Sequence, residues 1–138
     1  LNNKIDSMSA NGNTNQPIGL DHGMMTLAST TPYSAPTLPT NTSQYIILLS
    51  DGLNTQNRWT TSQSSIDARE ALACANAKAA GITIYTIFLD LGGGSGNSAA
   101  LKSCASDSTK YYDLTTTGSV ASTFTLIAQQ ITSLRVSK

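Results

Sequence analysis

A run of five apolar residues, 45–49, is the strongest hydrophobic signal in the chain. It does not alternate with polar residues, which favours a strand covered on both faces, as in a parallel α/β sheet. Ser50-Asp51-Gly52 follows, a combination typical of a tight turn. The pattern places the Asp51 carboxylate just beyond the strand, at the edge where open α/β sheets usually hold ligands and metals. A turn-forming role for Asp51 is the competing interpretation.

The next segment has helical and then extended periodicity. A helix is predicted over residues 64–80, with alanines on its buried side and Gly81 at its end. Asp67 and Glu70 lie in its first turns, where negative charge matches the helix dipole. A strand rich in β-branched and aromatic residues follows over Ile82–Leu89. Strand, helix and strand together predict a βαβ unit.

The remaining apolar positions complete an α/β fold. A short helix is predicted over residues 98–105 and a third strand over residues 110–114. Apolar residues at steps of four and three predict a last amphipathic helix that buries this side on the core, namely Val120, Phe124, Ile127, Ile131 and Leu134. We therefore predict an open sheet of at least three parallel strands with helices on both faces.

The first 43 residues carry weaker patterns. Residues 1–9 predict the tail of an amphipathic helix, and Asn15 is suited to cap a second helix with Pro17 in its first turn. Residues 29–43 are rich in Thr, Ser and Pro, which predicts an exposed loop. The length fits one domain. Because the chain starts with Leu1 inside a helical pattern, we expect residues 1–138 to be a fragment of a longer protein.

Composition excludes several classes of function. The net charge is zero and only 12% of residues are charged, so neither a nucleic-acid nor an anionic-membrane footprint is present. No apolar run reaches the roughly 18 residues of a membrane span. Two cysteines and His22 cannot build a closed zinc centre; the cysteines form either one disulfide or two small buried residues. His22 lacks a catalytic partner in sequence, which favours a packed or surface role.

The glycine-rich stretch Gly92-Gly93-Gly94-Ser95-Gly96 does not have the spacing of a phosphate-binding motif, and a flexible loop is the better interpretation. Asn41 begins a formal glycosylation sequon, Asn-Thr-Ser, which has meaning only in a eukaryotic secretory setting.

An ordered set of segments resembles a known family. Residues 46–54 (IILLSDGLN), preceded by residues 12–20 (GNTNQPIGL), are similar to the second half of a von Willebrand factor type A domain. More narrowly, five segments resemble the C-terminal region of TadG-like proteins of bacterial tight-adherence (Flp) pilus assembly: residues 12–20, 79–86, 104–106, 111–113 and 131–138. The likeness runs from about residue 10 to the end. It implies an incomplete von Willebrand factor A-like (Rossmann-like) fold.

The family's metal-ion-dependent adhesion site takes Asp-x-Ser-x-Ser, a Thr and an Asp from three loops. Thr14 matches the Thr and Asp51 the Asp, whereas Asp-x-Ser-x-Ser would lie before Leu1. The resemblance implies a partial site with no cofactor held by this fragment, and Mg²⁺ or Mn²⁺ in the full-length protein, since a hard dication needs about six oxygens. We expect Thr14 near Asp51, and Asp51 accepting hydrogen bonds from Thr14 or nearby backbone N–H groups.

The resemblance implies a non-enzymatic protein-interaction module of a pilus assembly protein. It would lie on the periplasmic or extracellular side of a bacterial envelope, anchored through a segment outside this chain. The partner would be a protein, a pilus or envelope component, bound at a rim that includes Asn54, Arg58 and Trp59. The alternative is a hydrolase or phosphatase-like α/β enzyme using Asp51. A third hypothesis is an extracellular adhesion domain with a glycan on Asn41.

Two structural expectations follow from the topology. If the strands lie side by side in chain order, the helices that carry Cys74 and Cys104 are neighbours on one face, and a periplasmic setting would oxidise the pair to a disulfide. In the family's layout, a further strand pairs beside residues 45–49. Its absence here leaves an apolar edge that another segment, a partner chain or a loop is expected to cover.

Overall fold

The computed structural model describes residues 2–9, 11–92 and 98–136, which form an α/β fold around one sheet. The predicted strands and the three helices after residue 60 are confirmed, with ends shifted by up to two residues. In chain order the elements are α1 (Asn2–Asp6), α2 (Gln16–Leu27), β1 (Gln44–Ser50), α3 (Gln63–Ala79), β2 (Ile82–Leu89), α4 (Ala99–Cys104), a 3₁₀ turn (Ser108–Lys110), β3 (Tyr111–Leu114) and α5 (Gly118–Val136).

The sheet is parallel, open and ordered β1-β2-β3. β1 pairs with β2 along its whole length, from Gln44 opposite Ile82 to Ser50 opposite Phe88. β3 pairs only with the second half of β2. The arrangement is consistent with an incomplete Rossmann-like fold, in which β2 is the central strand.

β3 does not reach the first half of β2. There, Ser106 forms the hydrogen bonds that a neighbouring strand would otherwise make with Ile84. Its backbone N–H donates to the carbonyl of Ile84 at 3.0 Å, and the Ile84 N–H donates to its Oγ at 2.8 Å. Because both bonds involve one residue, the chain satisfies the backbone groups of Ile84 without a longer strand.

One face of the sheet is covered by α2, α3 and α4. α2 packs on β1 with Gly23 facing Ile46: a Cβ on Gly23 would lie 3.6 Å from Cδ1 of Ile46, an ordinary van der Waals distance. On α3, small residues allow the helix to lie close to the sheet. The buried cluster on this face comprises Leu20, Ile46, Ala73, Cys74, Ala77, Ile82, Ile84 and Cys104.

A disulfide between Cys74 and Cys104 joins α3 to α4, as predicted. The two cysteines are 1% and 0% exposed, so the bond lies inside the core. It closes a loop with a sequence separation of 30 residues, and the whole of β2 lies within that loop.

α5 covers the opposite face, but less completely than its apolar stripe predicts. Ile127 is fully buried against Tyr85 and Ile87, and Ile131 packs partly against the same cluster. Phe124 is 41% exposed, so its predicted burial is wrong. The apolar stripe is wider than the part of α5 that contacts the sheet. The side chain of Leu134 lies outside those described.

The prediction that β1 is covered on both faces is wrong on the α5 side. Ile47 is 37% exposed and Leu49 is 41% exposed, whereas Ile46 on the other face is buried. β1 is also an edge strand: among the described residues, no strand pairs with its outer side. The expected apolar edge is therefore present, and none of the described segments pairs with it.

The N-terminal helices differ in how they contact the rest. α1 is confirmed as a short helix but buries no residue. α2 begins after Asn15 with Pro17 in its first turn, although the Asn15 side chain makes no capping hydrogen bond. The connection from α2 to β1 is mostly exposed, as predicted. Of the flexible loop predicted over residues 92–96, residues 93–96 lie outside the described residues.

Candidate functional site

Two loops meet at the carboxyl end of β1 and form the candidate site. The backbone N–H of Thr55 donates to the carbonyl of Thr14 at 2.9 Å, and the N–H of Thr14 donates to Oγ1 of Thr55 at 2.8 Å. The Asn13 amide donates to Oε1 of Gln56 at 2.7 Å. These bonds hold the loop before α2 against the loop that follows β1.

Thr14 and Asp51, the two predicted metal ligands, lie on these facing loops. Oγ1 of Thr14 lies 3.7 Å from the position that a Cβ on Gly52 would occupy. Asp51 is exposed, and its carboxylate accepts no hydrogen bond from any described residue, so that expectation is wrong. Ser50 closes the turn instead: its Oγ donates to the Gly52 carbonyl at 2.9 Å. The side chains of Thr14 and Asp51 carry three oxygens between them, fewer than the roughly six that a hard dication needs.

Asn54, predicted to lie on the rim, is 2% exposed and supports the rim from beneath. Its Oδ1 accepts the backbone N–H of Gln16 at 2.8 Å. Its Nδ2 donates to Oδ1 of Asp67 at 2.8 Å and to Oε2 of Glu70 at 2.6 Å. One side chain therefore ties the N-terminus of α2 to the first turns of α3, and it also fixes the start of the following loop.

Gln16 extends this buried network to β1. Its side chain is 5% exposed, and its Nε2 donates to Oγ of Ser50 at 3.1 Å and to the Gly52 carbonyl at 2.7 Å. The turn that carries Asp51 is therefore held from below by α2.

Glu70 is the only glutamate in the chain, and it is fully buried. The pKa of Glu70 is raised to about 7, mainly by burial. The hydrogen bond from Asn54 opposes this rise, and the nearby charge of Asp67 adds to it. The sequence predicts Glu70 from the helix dipole alone, whereas in the structure the side chain lies in the core. The signal was in the sequence: Glu70 is at i−3 and i−4 from Ala73 and Cys74, on the buried stripe of α3.

Two buried oxygens in this network have no hydrogen-bond partner, Oε1 of Gln16 and Oε1 of Glu70. The Glu70 carboxylate also lies within 4.8 Å of the sulfurs of Cys74 and Cys104. This trio is not a metal site in the oxidised protein, because a metal needs thiolates and both sulfurs are in the disulfide.

The loop from Asn54 to α3 presents Trp59, which is 72% exposed, on a hydrogen-bonded turn. Oδ1 of Asn57 accepts the backbone N–H groups of Trp59 at 2.8 Å and of Thr60 at 2.9 Å. The guanidinium of Arg69, on α3, lies over the indole, 4.9 Å from the ring centroid. Residues 56–61, including Arg58, line an open depression of about 430 Å³ beside the ring.

Other titratable groups lie outside this site. His22 is exposed and lies 3.1 Å from the Tyr33 hydroxyl, consistent with a surface histidine. Hydrogen bonds from Lys110 and Thr109 lower the pKa of the exposed Asp107 to about 2. Asp107 caps the 3₁₀ turn before β3, and its ion pair with Lys110 includes no residue of the rim.

No family model matches the chain, and neither a characterised protein nor a solved structure gives a significant match. In the described part of the chain, no helix has the length and apolar character needed to cross a membrane.

Proposed function

We propose that this chain is a non-enzymatic protein-interaction module of a TadG-like, envelope-anchored pilus assembly protein. The single observation that carries the proposal is the hydrogen-bonded turn that exposes Trp59 and Arg58 beside the loops of Thr14 and Asp51. Trp and Arg are enriched among the residues that dominate protein–protein binding energy. The ordered motifs that resemble the family support the assignment to pilus assembly.

The buried disulfide supports a location on the periplasmic or extracellular side of a bacterial envelope, since such bonds persist in oxidising compartments. The anchor is proposed to lie in a segment outside this chain. Under this proposal, partners are pilus or envelope proteins that contact the rim.

Photo-crosslinking in bacterial cells tests the proposal. A benzoylphenylalanine placed at Arg58 in the native-length protein should give a light-dependent adduct with a pilus or envelope protein. The matched control is the same residue at Ala121, exposed on α5. Equal adducts from both positions, or none from position 58, would reject a pilus or envelope partner at this rim. A hydrolase that uses Asp51 would instead show turnover of simple esters or phosphoesters that is lost in Asp51→Ala.

The partial metal site gives a separate prediction. Thr14 and Asp51 fit two positions of a dication site, and a Mg²⁺ or Mn²⁺ ion would need further oxygens from a longer protein. We therefore expect this chain to bind Mn²⁺ with a dissociation constant above about 1 mM, because one carboxylate cannot offset the loss of the ion's water. Calorimetry with Mn²⁺ measures it. Sub-millimolar binding that disappears in Asp51→Ala would show that the chain holds a complete site.

A further inference from the structure

Two unpaired arginines flank the exposed indole of Trp59. The chain contains three arginines, and Arg58 and Arg69 both belong to this surface. Among the described residues, the one ion pair joins Lys110 to Asp107, so neither arginine has a carboxylate partner. An exposed guanidinium without an internal partner is free to form a two-pronged pair with an external carboxylate.

The nearby carboxylates do not neutralise this surface. Asp67 lies close in sequence to Arg69 but accepts the amide of Asn54, and Glu70 is buried under the loop. Asp51 is exposed on the neighbouring turn and forms neither a hydrogen bond nor an ion pair with either arginine. Arg58 is the only charged residue among those that line the depression at residues 56–61.

The indole adds a second recognition element. Trp59 stays 72% exposed although Arg69 lies over it, so much of the ring is open to a ligand. The hydrogen bonds of Asn57 hold the turn in place before any ligand arrives, which reduces the entropy lost on binding. Exposed aromatic rings bind proline-rich segments, and such segments lose little conformational entropy because they are already extended before they bind.

We infer that the Trp59 turn binds an acidic, proline-containing segment of the partner protein, with carboxylates on Arg58 and Arg69 and a proline ring on Trp59. This inference rests on the proposed function, whose partner it specifies by charge and shape. The partner's main contact is then the Trp59 turn rather than Thr14 and Asp51.

Three synthetic peptides test the inference: acetyl-(Glu-Pro)₄-amide, its Gln-Pro counterpart and its Lys-Pro counterpart. Trp59 is the only tryptophan in the chain, so its fluorescence reports binding at the turn directly. We expect saturable quenching by the Glu-Pro peptide, at least fivefold weaker binding of the Gln-Pro peptide and none of the Lys-Pro peptide. Binding of the Glu-Pro peptide should weaken several-fold between about 0.05 and 0.5 M salt.

Charge-removal variants locate the contact. Arg58→Gln and Arg69→Gln should each lower the affinity about two- to fivefold, the range for exposed ion pairs, and the double variant should lower it by the product, about 4- to 25-fold. Lys102→Gln, which removes an exposed positive charge on α4, is the matched control and should bind like the wild type. Equal affinity for the Glu-Pro and Gln-Pro peptides, or an equal loss in Lys102→Gln, would overturn the inference.

The two proposals fail in different ways. A pilus or envelope protein crosslinked at position 58, without selectivity for acidic peptides, would refute the acidic partner and leave the interaction module standing. Selective acidic binding, without an adduct in cells, would refute the pilus assignment alone.

Discussion

At the scale of single residues, Asn54 and Glu70 form the most demanding feature of the molecule. The Asn54 amide donates to two carboxylates, and its oxygen accepts a backbone N–H at the N-terminus of α2. Glu70 accepts a hydrogen bond from that amide in a fully buried position, where ionisation is disfavoured. The start of the rim loop therefore depends on the protonation state of a core side chain.

The sign of the pH dependence follows from the pKa of Glu70, which is raised by folding from 4.5 to about 7. Between these values the folded state binds more protons than the unfolded state, so stability falls as pH rises through this window. The loss reaches about 3 kcal/mol above pH 7, since one pKa unit corresponds to about 1.4 kcal/mol.

Glu70→Gln removes the titrating group and should abolish this fall in stability. At pH 8 the variant should be more stable than the wild type by up to about 3 kcal/mol. Urea melts from pH 4.5 to 8 measure the effect. Asp21→Asn, an exposed carboxylate on α2, is the control and should keep the wild-type slope. A slope that persists in Glu70→Gln would mean that another group causes it.

At the scale of elements, not every apolar residue on the predicted buried side of α5 contacts the sheet. Ile127 is fully buried on the helix, whereas Phe124 is 41% exposed one turn earlier. Ile127→Ala should lower the unfolding free energy by about 2–5 kcal/mol, through lost burial and an unfilled cavity. Phe124→Ala should lower it by less than about 1.5 kcal/mol. Denaturant melts of the pair decide the point, and a larger loss from Phe124→Ala would show that α5 is rotated from this arrangement.

The disulfide between α3 and α4 makes a second element-scale contribution. Closing a loop of 30 residues should stabilise the fold by about 3–4 kcal/mol in the chain-entropy model. Urea melts with and without a dithiol reductant should differ by this amount. A Cys74→Ala, Cys104→Ala double variant is the control and should not respond to the reductant. Two free thiols in unfolded, non-reduced protein would contradict the bond.

The elements were largely predictable from sequence, while their exposure was not. Local periodicity identifies β2 and α3, because β-branched runs and alanine-rich helices have distinct patterns. The same run that predicts β1 does not reveal that Ile47 and Leu49 lack a covering layer, since that depends on how far α5 extends over the sheet. The site was predictable as an edge after β1. The hydrogen bonds of Asn54 were not, because they join residues 16, 54 and 70.

At the scale of the whole molecule, a zero net charge coincides with an uncovered apolar edge. β1 carries no charged residue, its outer side is unpaired in the described structure, and Ile47 is 37% exposed. Uncharged edge strands pair readily with other chains, and a net charge near zero removes the repulsion that would oppose it.

Self-association should therefore be strongest near the isoelectric point of about 6.7 and should decrease in Ile47→Lys. The matched control is Ile5→Lys, which adds the same charge at an exposed isoleucine on α1. Sedimentation velocity at several concentrations measures the association. An equal decrease in both variants would show that net charge, rather than the edge of β1, governs it.

The position of the disulfide also determines how the molecule would respond to tension along the chain. All of β2 lies inside the covalent loop closed by Cys74 and Cys104, so a pull on the two ends cannot extend the central strand. About 30 residues are withheld from the stretched length, which removes roughly 100 Å from the full extension of the chain. β1 and α5 can be peeled away, while the link between α3 and α4 carries the load. In an oxidising compartment, the segment between the two cysteines therefore adds no length to the chain under force.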